Sequence, residues 1–335
     1  MNILILGLGS IGQRHLRNLK KIDKKINFYA VRKKFFTPHL DNKNKVIKGD
    51  IKKKYNIMYL KNLDQINKDQ LSIDAAFVCT PSRFHIEEAI WLVKNNINIF
   101  VEKPLGDGFR NLDKLKKLLR KKSNLKHMMG YQLKFNPIIL KLKDLLSKKI
   151  IGDIYYVNIH HGEHINDFHP YENYKHSYAA KKSLGGGVVL TQIHEIDYML
   201  YLFDNYKVVN KSSISTKVSD LQIDVEDTLS AQFILRDRKR NLICQLHTNF
   251  YEKPKRRQIN IIGKKGKIFC DLNKGIINVF RNGKERKILF NFDRNKIFMK
   301  QVKYFLNCIK KNKKVSSKLD VISGAKSLEL ALRLK

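Results

Sequence analysis

In the N-terminal part of the chain, short apolar runs alternate with segments whose apolar residues recur at the spacing of a helix. The run at residues 3–6 ends at Gly7 and is typical of a strand buried on both faces of a parallel sheet. Similar runs recur near residues 28–31, 57–59, 74–79, 97–101 and 127–131. Between them, helical periodicity predicts one helix at Ile86, Ala89, Ile90 and Val93, and another at Phe109, Leu112, Leu115 and Leu119. This alternation indicates a doubly wound α/β domain.

The pattern changes after Pro137. One helix follows, and then strand-like runs lie around 154–159, 207–217, 226–236, 242–250, 257–262 and 267–280. Residues 281–284, Arg-Asn-Gly-Lys, predict a tight turn to a further short strand. Helices are expected from Gly185-Gly186-Gly187 onward, with apolar positions at Val189, Ile193, Ile196, Leu200 and Phe203, and at 298–309 and 319–333. We therefore predict a Rossmann domain at 1–125 and an α+β domain with an open, mostly antiparallel sheet at 126–335.

Length and cysteine usage exclude several classes of protein. A chain of 335 residues can form two domains with substantial cores, and no apolar stretch is long enough to cross a membrane. The N-terminus lacks the charged region and cleavage site of a signal peptide. The four cysteines form no CxxC pair, which favours free thiols in a reducing cytoplasm. We expect a cytoplasmic protein without membrane insertion.

The charge is strongly positive, with 67 Lys+Arg against 30 Asp+Glu and a formal net charge of +37. A nucleic-acid partner is one explanation. However, the lysines are spread along the chain and no nucleic-acid-binding motif accompanies them. We therefore attribute the charge to a lysine-rich composition and expect no nucleic-acid partner, although such a field also attracts anionic substrates.

The first strand is followed directly by Gly7-Leu8-Gly9-Ser10-Ile11-Gly12, a GxGxxG motif that opens a helix. In that context Gly7 makes the tight turn, Gly9 lets the backbone approach a pyrophosphate, and Gly12 lets the helix pack closely. The loop residues Ser10 and Ile11 bring the helix N-terminus to the phosphates. The motif predicts a bound dinucleotide.

The residues at the end of the second strand indicate whether the dinucleotide is NAD or NADP. NAD-specific folds carry an acidic residue about 20 residues past the glycines, which binds the ribose 2′-hydroxyl. Here Arg32 and Lys33 occupy that place, and a cation suits a 2′-phosphate. NADP is favoured, and NAD remains the alternative.

Two residues are candidates for catalysis. Lys103 follows a buried strand, between Glu102 and Pro104, where the carboxyl end of a parallel sheet lines a ligand crevice. Its ammonium could stabilise an alkoxide, whereas most lysines are simply solvated. His194 lies in a predicted amphipathic helix, off its apolar face, with Asp197 three residues later. It suits a general base for a sugar hydroxyl, and a hydrogen-bonded structural histidine is the alternative.

Five histidines, at positions 160, 161, 164, 169 and 176, form a cluster along the sequence. Their spacing matches no zinc signature and no cysteine assists them. We therefore expect no metal, and interpret the cluster as a polar rim of the substrate pocket.

The sequence resembles the glucose–fructose oxidoreductase and inositol dehydrogenase family (Gfo/Idh/MocA) over nearly its whole length. The resemblance rests on the glycine motif, Thr80-Pro81 with His85, Glu102-Lys103-Pro104, and Gly185-Gly186-Gly187 with His194-x-x-Asp197. Val225-Glu226-Asp227-Thr228, Ile262-Gly263-x-x-Gly266 and His169-Pro170-Tyr171-Glu172 with Ser177-Tyr178 add to it; the last resembles oxidoreductases of surface-sugar biosynthesis.

The resemblance implies an NAD(P)-dependent oxidoreductase that transfers a hydride between nicotinamide and a secondary hydroxyl or keto group of a sugar or sugar nucleotide. It implies Lys103 and His194 as the catalytic pair, and a dimer or tetramer formed through the open sheet. The further cofactor-binding candidates are Thr80, Pro81, His85, Glu102 and Lys103. The candidate substrate-binding residues are Lys103, Tyr131, His164, Tyr178, Thr191 and His194.

Two positions depart from the family pattern. Inositol-type dehydrogenases carry an aspartate four residues before the histidine, and here that residue is Leu190. Glu163 or Asp197 would have to orient His194 instead. Lys134 stands where relatives usually carry arginine. The departure at Leu190 leaves an alternative function open, that of a non-catalytic dinucleotide-binding sensor on the same scaffold.

Overall fold

Two β-sheets organise the part of the chain that the structure, a computed structural model, describes: residues 1–31, 38–238 and 240–335. The first of two compact units comprises Met1–Gln132, Pro170–Glu172 and Arg294–Leu328. The second comprises Leu133–His169, Asn173–Asp293 and Glu329–Lys335.

Strands and α-helices of the described residues are numbered in chain order. The strands are β1 (Asn2–Leu6), β2 (Asn27–Val31), β3 (Ile57–Leu60), β4 (Ala75–Val78), β5 (Asn98–Val101), β6 (His127–Met129), β7 (Ile154–Gly162), β8 (Lys207–Thr216), β9 (Thr228–Arg236), β10 (Asn241–Asn249), β11 (Arg256–Gly263), β12 (Gly266–Asp271), β13 (Ile276–Arg281) and β14 (Lys284–Leu289). The helices are α1 (Ser10–Ile22), α2 (Ile51–Tyr55), α3 (Asp64–Lys68), α4 (His85–Lys94), α5 (Leu112–Lys121), α6 (Pro137–Ser147), α7 (Val188–Thr191), α8 (His194–Leu202), α9 (Arg294–Lys310) and α10 (Val321–Leu332).

The first unit contains a six-stranded parallel sheet in the order β3-β2-β1-β4-β5-β6. The order reverses between β1 and β4, so the loops after these two strands meet at the position where doubly wound sheets bind ligands. The predicted Rossmann architecture is confirmed. Phe109, expected on the apolar face of α5, is instead 53% exposed and precedes the helix.

The segment 294–328 packs into this first unit. The rings of Phe77 and Phe100 stack with centroids 4.8 Å apart, and Phe305 of α9 meets them edge-on at 5.8 and 5.7 Å. The predicted division at 125/126 assigns this segment to the second domain, and the compact units place it in the first. Apolar spacing reveals that α9 is amphipathic but does not reveal which core it joins.

The second unit contains an eight-stranded sheet in the order β14-β13-β12-β11-β7-β10-β9-β8. Its pairs are antiparallel except β7 with β10, which confirms the mostly antiparallel prediction. The run predicted as one strand at 267–280 is two strands, because the chain reverses near Gly275, whose φ is +70°. The predicted turn at 281–284 is present, with φ of +51° at Asn282 and +70° at Gly283.

Side chains of this sheet alternate between a buried and an open face. Val157 and Ile159 of β7 are fully buried, whereas Ile243 of β10 and Ile262 of β11 are 51% and 46% exposed. One face therefore carries the core of the second unit and the other is accessible in the single chain. In the described ranges we find no helix with the length and apolar character needed to span a bilayer.

Candidate active site

The glycine loop after β1 has the geometry that a dinucleotide-binding turn requires. Gly7 has φ of +87°, and a Cβ there would lie 2.8 Å from the carbonyl oxygen of Cys79. A Cβ on Gly12 would lie 2.0 Å from the carbonyl oxygen of Gly7, whereas one on Gly9 would meet nothing within 4 Å. The packing of the loop therefore requires glycine at positions 7 and 12. Gly9 leaves open space that a phosphate group can fill.

Helix α1 starts directly behind this loop. Its N-cap is Gly9, whose carbonyl accepts a hydrogen bond from Gln13 N at 2.9 Å, and no described side chain caps the helix there. The first turn, with Ser10 and Ile11, thus offers backbone N–H groups and the positive dipole end to an anion. These features fit a pyrophosphate. Arg32 and Lys33, the predicted determinants of cofactor preference, lie outside the described residues.

The loop after β4 is tied to the loop after β5 by His85. Its Nε2 lies 2.6 Å from the carbonyl oxygen of Thr80 and its Nδ1 lies 2.7 Å from that of Pro104, while the ring is 1% exposed. Burial lowers the pKa of His85, and the two carbonyl oxygens and the Glu102 charge act against that shift. Pro81 follows Thr80 in the same loop, and the Thr80 hydroxyl donates to Glu88 at 2.6 Å.

The corner after β5 holds the first catalytic candidate. Glu102 is 5% exposed, and its Oε1 lies 2.7 Å from Nε2 of His15 on α1. Its Oε2 accepts a hydrogen bond from the backbone N of Lys103 at 3.2 Å. Lys103 itself is only partly buried, on a backbone that Glu102 fixes.

His194 is the first residue of α8 and is 6% exposed. The single amphipathic helix predicted from Gly187 onward is wrong: α7 ends at Thr191, and α8 begins three residues later. Both helices are buried on nearly every side, so His194 does not lie on a polar face. A buried helix shows no 3.6-residue polar stripe, which is why the periodicity is misleading.

The two carboxylates predicted as possible partners of His194, Asp197 and Glu163, have other partners in the structure. Asp197 Oδ1 lies 2.9 Å from Nζ of Lys134, with both side chains under 5% exposed. Lys134 therefore supplies the cation that pairs with Asp197. Glu163 lies 3.7 Å from Nε2 of His161 and 3.6 Å from Nζ of Lys255. Leu190 is fully buried.

A carboxylate that the sequence pattern does not reveal lies directly beside His194 in the chain. Glu195 is fully buried, and its Oε1 is 2.6 Å from Nη2 of Arg257 and 3.1 Å from Nδ1 of His161. Burial alone would raise the pKa of Glu195, but the charges of Arg257 and His161 outweigh it and lower the pKa to about 2. The charge of His194 acts in the same direction, so Glu195 and a protonated His194 stabilise one another.

The remaining substrate candidates are distributed over both units. Tyr131, in the first unit, is 1% exposed. Thr191 ends α7 in the second unit and is 6% exposed. Nδ1 of His164 accepts a hydrogen bond from Asn166 N at 3.3 Å, and the ring of Tyr178 lies 6.2 Å from that of His169.

The histidine cluster of the sequence does not stay together in the structure. Successive residues of a strand point to opposite faces, so His160 and His161 of β7 separate. His160 lies 2.6 Å from Glu252 on the open face, and His161 faces Glu195 in the buried layer. Within the described ranges, no group of three or more His, Cys, Asp or Glu is arranged to hold a metal ion.

Two further residues of interest, His15 and Arg257, are not among the candidates predicted from the sequence. A signal for His15 exists: it immediately precedes Leu16 on the buried side of α1, where a polar residue needs a partner. Arg257 carries no such signal, because its partner Glu195 lies 62 residues away in the chain.

Comparison with known proteins yields two family matches. Residues 1–131 match the GFO_IDH_MocA profile, described as an oxidoreductase family with an NAD-binding Rossmann fold. Residues 139–269 match the profile of the GFO/IDH/MocA C-terminal domain.

Among curated relatives, the myo-inositol 2-dehydrogenase of Thermotoga maritima is 30% identical over 152 residues, which are 45% of this chain and 42% of that protein. Two further relatives are matched over 36% and 63% of their own length. The chain therefore aligns with less than two thirds of each of these proteins.

Solved structures with the same fold align with the full length of this chain. A levoglucosan dehydrogenase in complex with NADH has a TM-score of 0.81 at 15% identity, covering 100% of this chain and 95% of that one. UDP-N-acetylglucosamine 3-dehydrogenase from Acidithiobacillus ferrooxidans has a TM-score of 0.75 at 15% identity, with coverage of 100% and 96%. At these identities the likeness establishes the fold. With one profile matched in each domain, the chain belongs to the GFO/IDH/MocA family of oxidoreductases.

Proposed function

We propose that this chain is an NAD(P)-dependent dehydrogenase or reductase that acts on a secondary hydroxyl or keto group of a sugar or sugar nucleotide. The observation that carries the proposal is the Glu102–Lys103 corner. A buried carboxylate fixes the lysine backbone at the carboxyl end of β5, in a sheet whose β1 loop fits a dinucleotide. Ligand chemistry in doubly wound sheets takes place at this edge.

The residues that would hold the dinucleotide are Gly7, Gly9 and Gly12 with the first turn of α1, and the loops carrying Thr80 and Lys103. The bound nicotinamide supplies or accepts the hydride. Arg32 and Lys33 support NADP through their charge, which suits a 2′-phosphate.

Two side chains would act on the hydroxyl of the substrate. In the oxidation direction, an imidazole nitrogen of His194 takes the hydroxyl proton, and the ammonium of Lys103 stabilises the negative charge that develops on the oxygen. Glu195 then stabilises the protonated His194 electrostatically. In this way Glu195 would take over part of the role of the aspartate that Leu190 replaces.

The substrate class follows from the relatives and the charge. The names of three related proteins refer to myo-inositol, levoglucosan and UDP-N-acetylglucosamine, all of them polyhydroxylated compounds. The formal charge of +37 favours an anionic member of this class, such as a nucleotide sugar of surface-polysaccharide synthesis. Tyr131, His164, Tyr178 and Thr191 are the candidate residues for binding its hydroxyl groups.

The open face of the second sheet supports assembly as a dimer or tetramer. Ile243 and Ile262 lie on either side of Tyr156 of β7 and expose 51% and 46% of their surface there, and Ile214 exposes 68%. A contiguous exposed apolar patch is typical of an interaction surface.

The test is turnover with NAD⁺ and NADP⁺ on a panel of nucleotide sugars and cyclitols, followed by nicotinamide absorbance. We expect Lys103→Met and His194→Asn to lower kcat by roughly 10²–10⁴ with dinucleotide binding retained. Lys121→Met and His247→Asn, at other positions in the same two units and outside the candidate site residues, serve as matched controls and should retain wild-type turnover. Equal kcat in all four variants would refute the catalytic assignment.

The second candidate function, a dinucleotide-binding sensor, is favoured by one observation. Leu190 occupies the position of the family aspartate and is fully buried. A sensor would bind dinucleotide and sugar without turnover. Calorimetric binding of a panel sugar in the absence of any absorbance change would support this alternative.

A further inference from the structure

His15 lies three residues after the glycine motif and is fully buried in the first unit. Its Nε2 is 2.7 Å from Oε1 of Glu102, although the two residues are 87 positions apart. The side chain of Glu102 is only 6% exposed. This contact joins the dinucleotide-binding helix α1 to the corner that carries Lys103.

The surroundings of His15 determine which nitrogen carries its proton. Its ring lies among the aromatic rings of Phe77, Phe100 and Phe298, at centroid distances of 5.2, 5.0 and 6.4 Å. Nδ1 is buried and has no hydrogen-bond partner within the described ranges. A proton on Nδ1 would therefore be buried without an acceptor, so Nε2 carries the proton and donates it to Glu102.

The carboxylate of Glu102 is confined on its remaining sides. Its Oε2 accepts from the backbone N of Lys103 at 3.2 Å. A Cβ on Gly130 would lie 2.8 Å from the carboxyl carbon of Glu102, so the carboxylate fills the space where a side chain would otherwise be. With His15 on one oxygen and Lys103 N on the other, the Glu102 side chain has little freedom to rotate.

The other side of the corner is held independently. The carbonyl oxygen of Pro104 lies 2.7 Å from Nδ1 of His85. The backbone that presents Lys103 is thus bracketed, on one side by His15 acting through Glu102 and on the other by His85. Of these two histidines, only His15 belongs to the helix behind the glycine loop.

We propose that His15 is a positioning residue for Lys103: by donating to Glu102, it fixes the direction of the lysine relative to the dinucleotide-binding loop. The proposal rests on the catalytic role proposed for Lys103. A small misplacement of a catalytic group costs about 10²-fold in rate, so losing this hydrogen bond should lower kcat without removing the cofactor site.

Two amide substitutions test the role of the hydrogen bond. His15→Gln places its amide nitrogen at about the reach of Nε2, whereas His15→Asn is too short to contact Glu102. We expect kcat to fall by about 10- to 100-fold in H15N and to stay within about threefold of wild type in H15Q. The melting shift caused by added NAD(P)H should be unchanged in both variants.

A matched control separates positioning from lost stability. Asn18 lies one turn later on α1, is buried, and donates to Asn295 Oδ1 at 3.3 Å. Asn18 also accepts a hydrogen bond from Asn295 Nδ2 at 2.9 Å, so Asn18→Ala removes two buried hydrogen bonds from the same helix and should leave kcat within about twofold of wild type. Equal kcat in H15N and H15Q, or a loss in N18A as large as in H15N, overturns the proposal.

A measurement that does not depend on turnover distinguishes failure of the positioning role of His15 from failure of the proposed function. The rate at which acetic anhydride modifies Lys103, followed by mass spectrometry across pH, reports the environment of its amine. This rate should change more than threefold in H15N and remain near wild type in H15Q and N18A; an unchanged rate in H15N contradicts the positioning role. If K103M retains full turnover, the proposed function fails, while the labelling result still decides the role of His15.

Discussion

Arg257 and the fully buried Glu195 form an ion pair that ties strand β11 to the first turn of α8, with the Arg257 side chain 17% exposed. Both Nη2 and Nε of Arg257 lie close to Oε1 of Glu195, at 2.6 and 2.8 Å. Glu195 follows His194 directly, so the pair anchors the end of the helix that carries the proposed base. The geometry makes Glu195 important for stability and electrostatically relevant to His194.

Removing one partner of this pair should be far more harmful than removing both. Arg257→Met leaves the Glu195 carboxylate buried without its main cation, and we expect the free energy of unfolding to fall by about 3–5 kcal/mol. The double variant E195M/R257M should recover at least half of that loss, because no uncompensated charge remains. Urea denaturation of wild type, E195M, R257M and the double variant measures both changes in unfolding free energy.

The control is an exposed ion pair of the same unit. Asp144 lies 2.8 Å from both Lys141 and Lys148, and Asp144→Asn should lower the free energy of unfolding far less than Arg257→Met does. A loss in R257M no larger than that in D144N would show that the buried pair contributes no more than a surface pair.

The lowered pKa of Glu195 predicts how stability depends on pH. Its pKa is about 2 in the folded chain against an ordinary value of 4.5, so the unfolded chain binds the proton more tightly. The corresponding stabilisation is fully present above pH 4.5 and is lost as the pH falls toward 2. It amounts to something on the order of 3 kcal/mol.

Comparison with Glu195→Gln isolates this dependence. The pH-dependent part of the difference in unfolding free energy between wild type and E195Q should be largest at pH 7 and less than half as large at pH 3. Urea titrations at several pH values between 7 and 3 give the curve. A difference that stays constant over this range would show that Glu195 titrates normally.

Two glycines of the same motif should respond differently to alanine. A Cβ on Gly9 meets nothing within 4 Å, so Gly9→Ala should fold with wild-type stability but bind dinucleotide at least tenfold more weakly. A Cβ on Gly12 would lie 2.0 Å from Gly7 O, so Gly12→Ala should lose about 1–3 kcal/mol of stability. Thermal melts with and without NAD(P)H distinguish the two effects. Wild-type affinity in G9A would mean that the cofactor does not approach this backbone.

The elements that can be predicted well from the sequence are those whose signal is local. The apolar run before Gly7, the turn at Asn282-Gly283 and the alternation of strand and helix each depend on neighbouring residues, and all appear in the structure. Contacts between distant residues leave no such signal. His15 and Glu102 are 87 positions apart, and no periodicity links them.

The buried environment of His194 illustrates the other limit. Periodicity predicts a polar face for its helix, but α7 and α8 are enclosed on nearly every side, so their sequence carries little periodic contrast. His160 and His161 are neighbours in the sequence but not in space, because successive side chains of a strand point to opposite faces of the sheet. In both cases, position along the chain is a poor guide to position in space.

The choice between NADP and NAD can be tested at Arg32. A cation after β2 suits the 2′-phosphate of NADP, and an acidic residue there would instead bind the ribose 2′-hydroxyl of NAD. Arg32→Asp should therefore lower kcat/KM with NADP⁺ by about tenfold or more and raise the NAD⁺/NADP⁺ ratio of kcat/KM. Lys25→Asp, an exposed position before β2, makes the same charge change away from the proposed site. If R32D and K25D shift the ratio equally, the preference arises from the overall field of the protein, and Arg32 makes no specific contact.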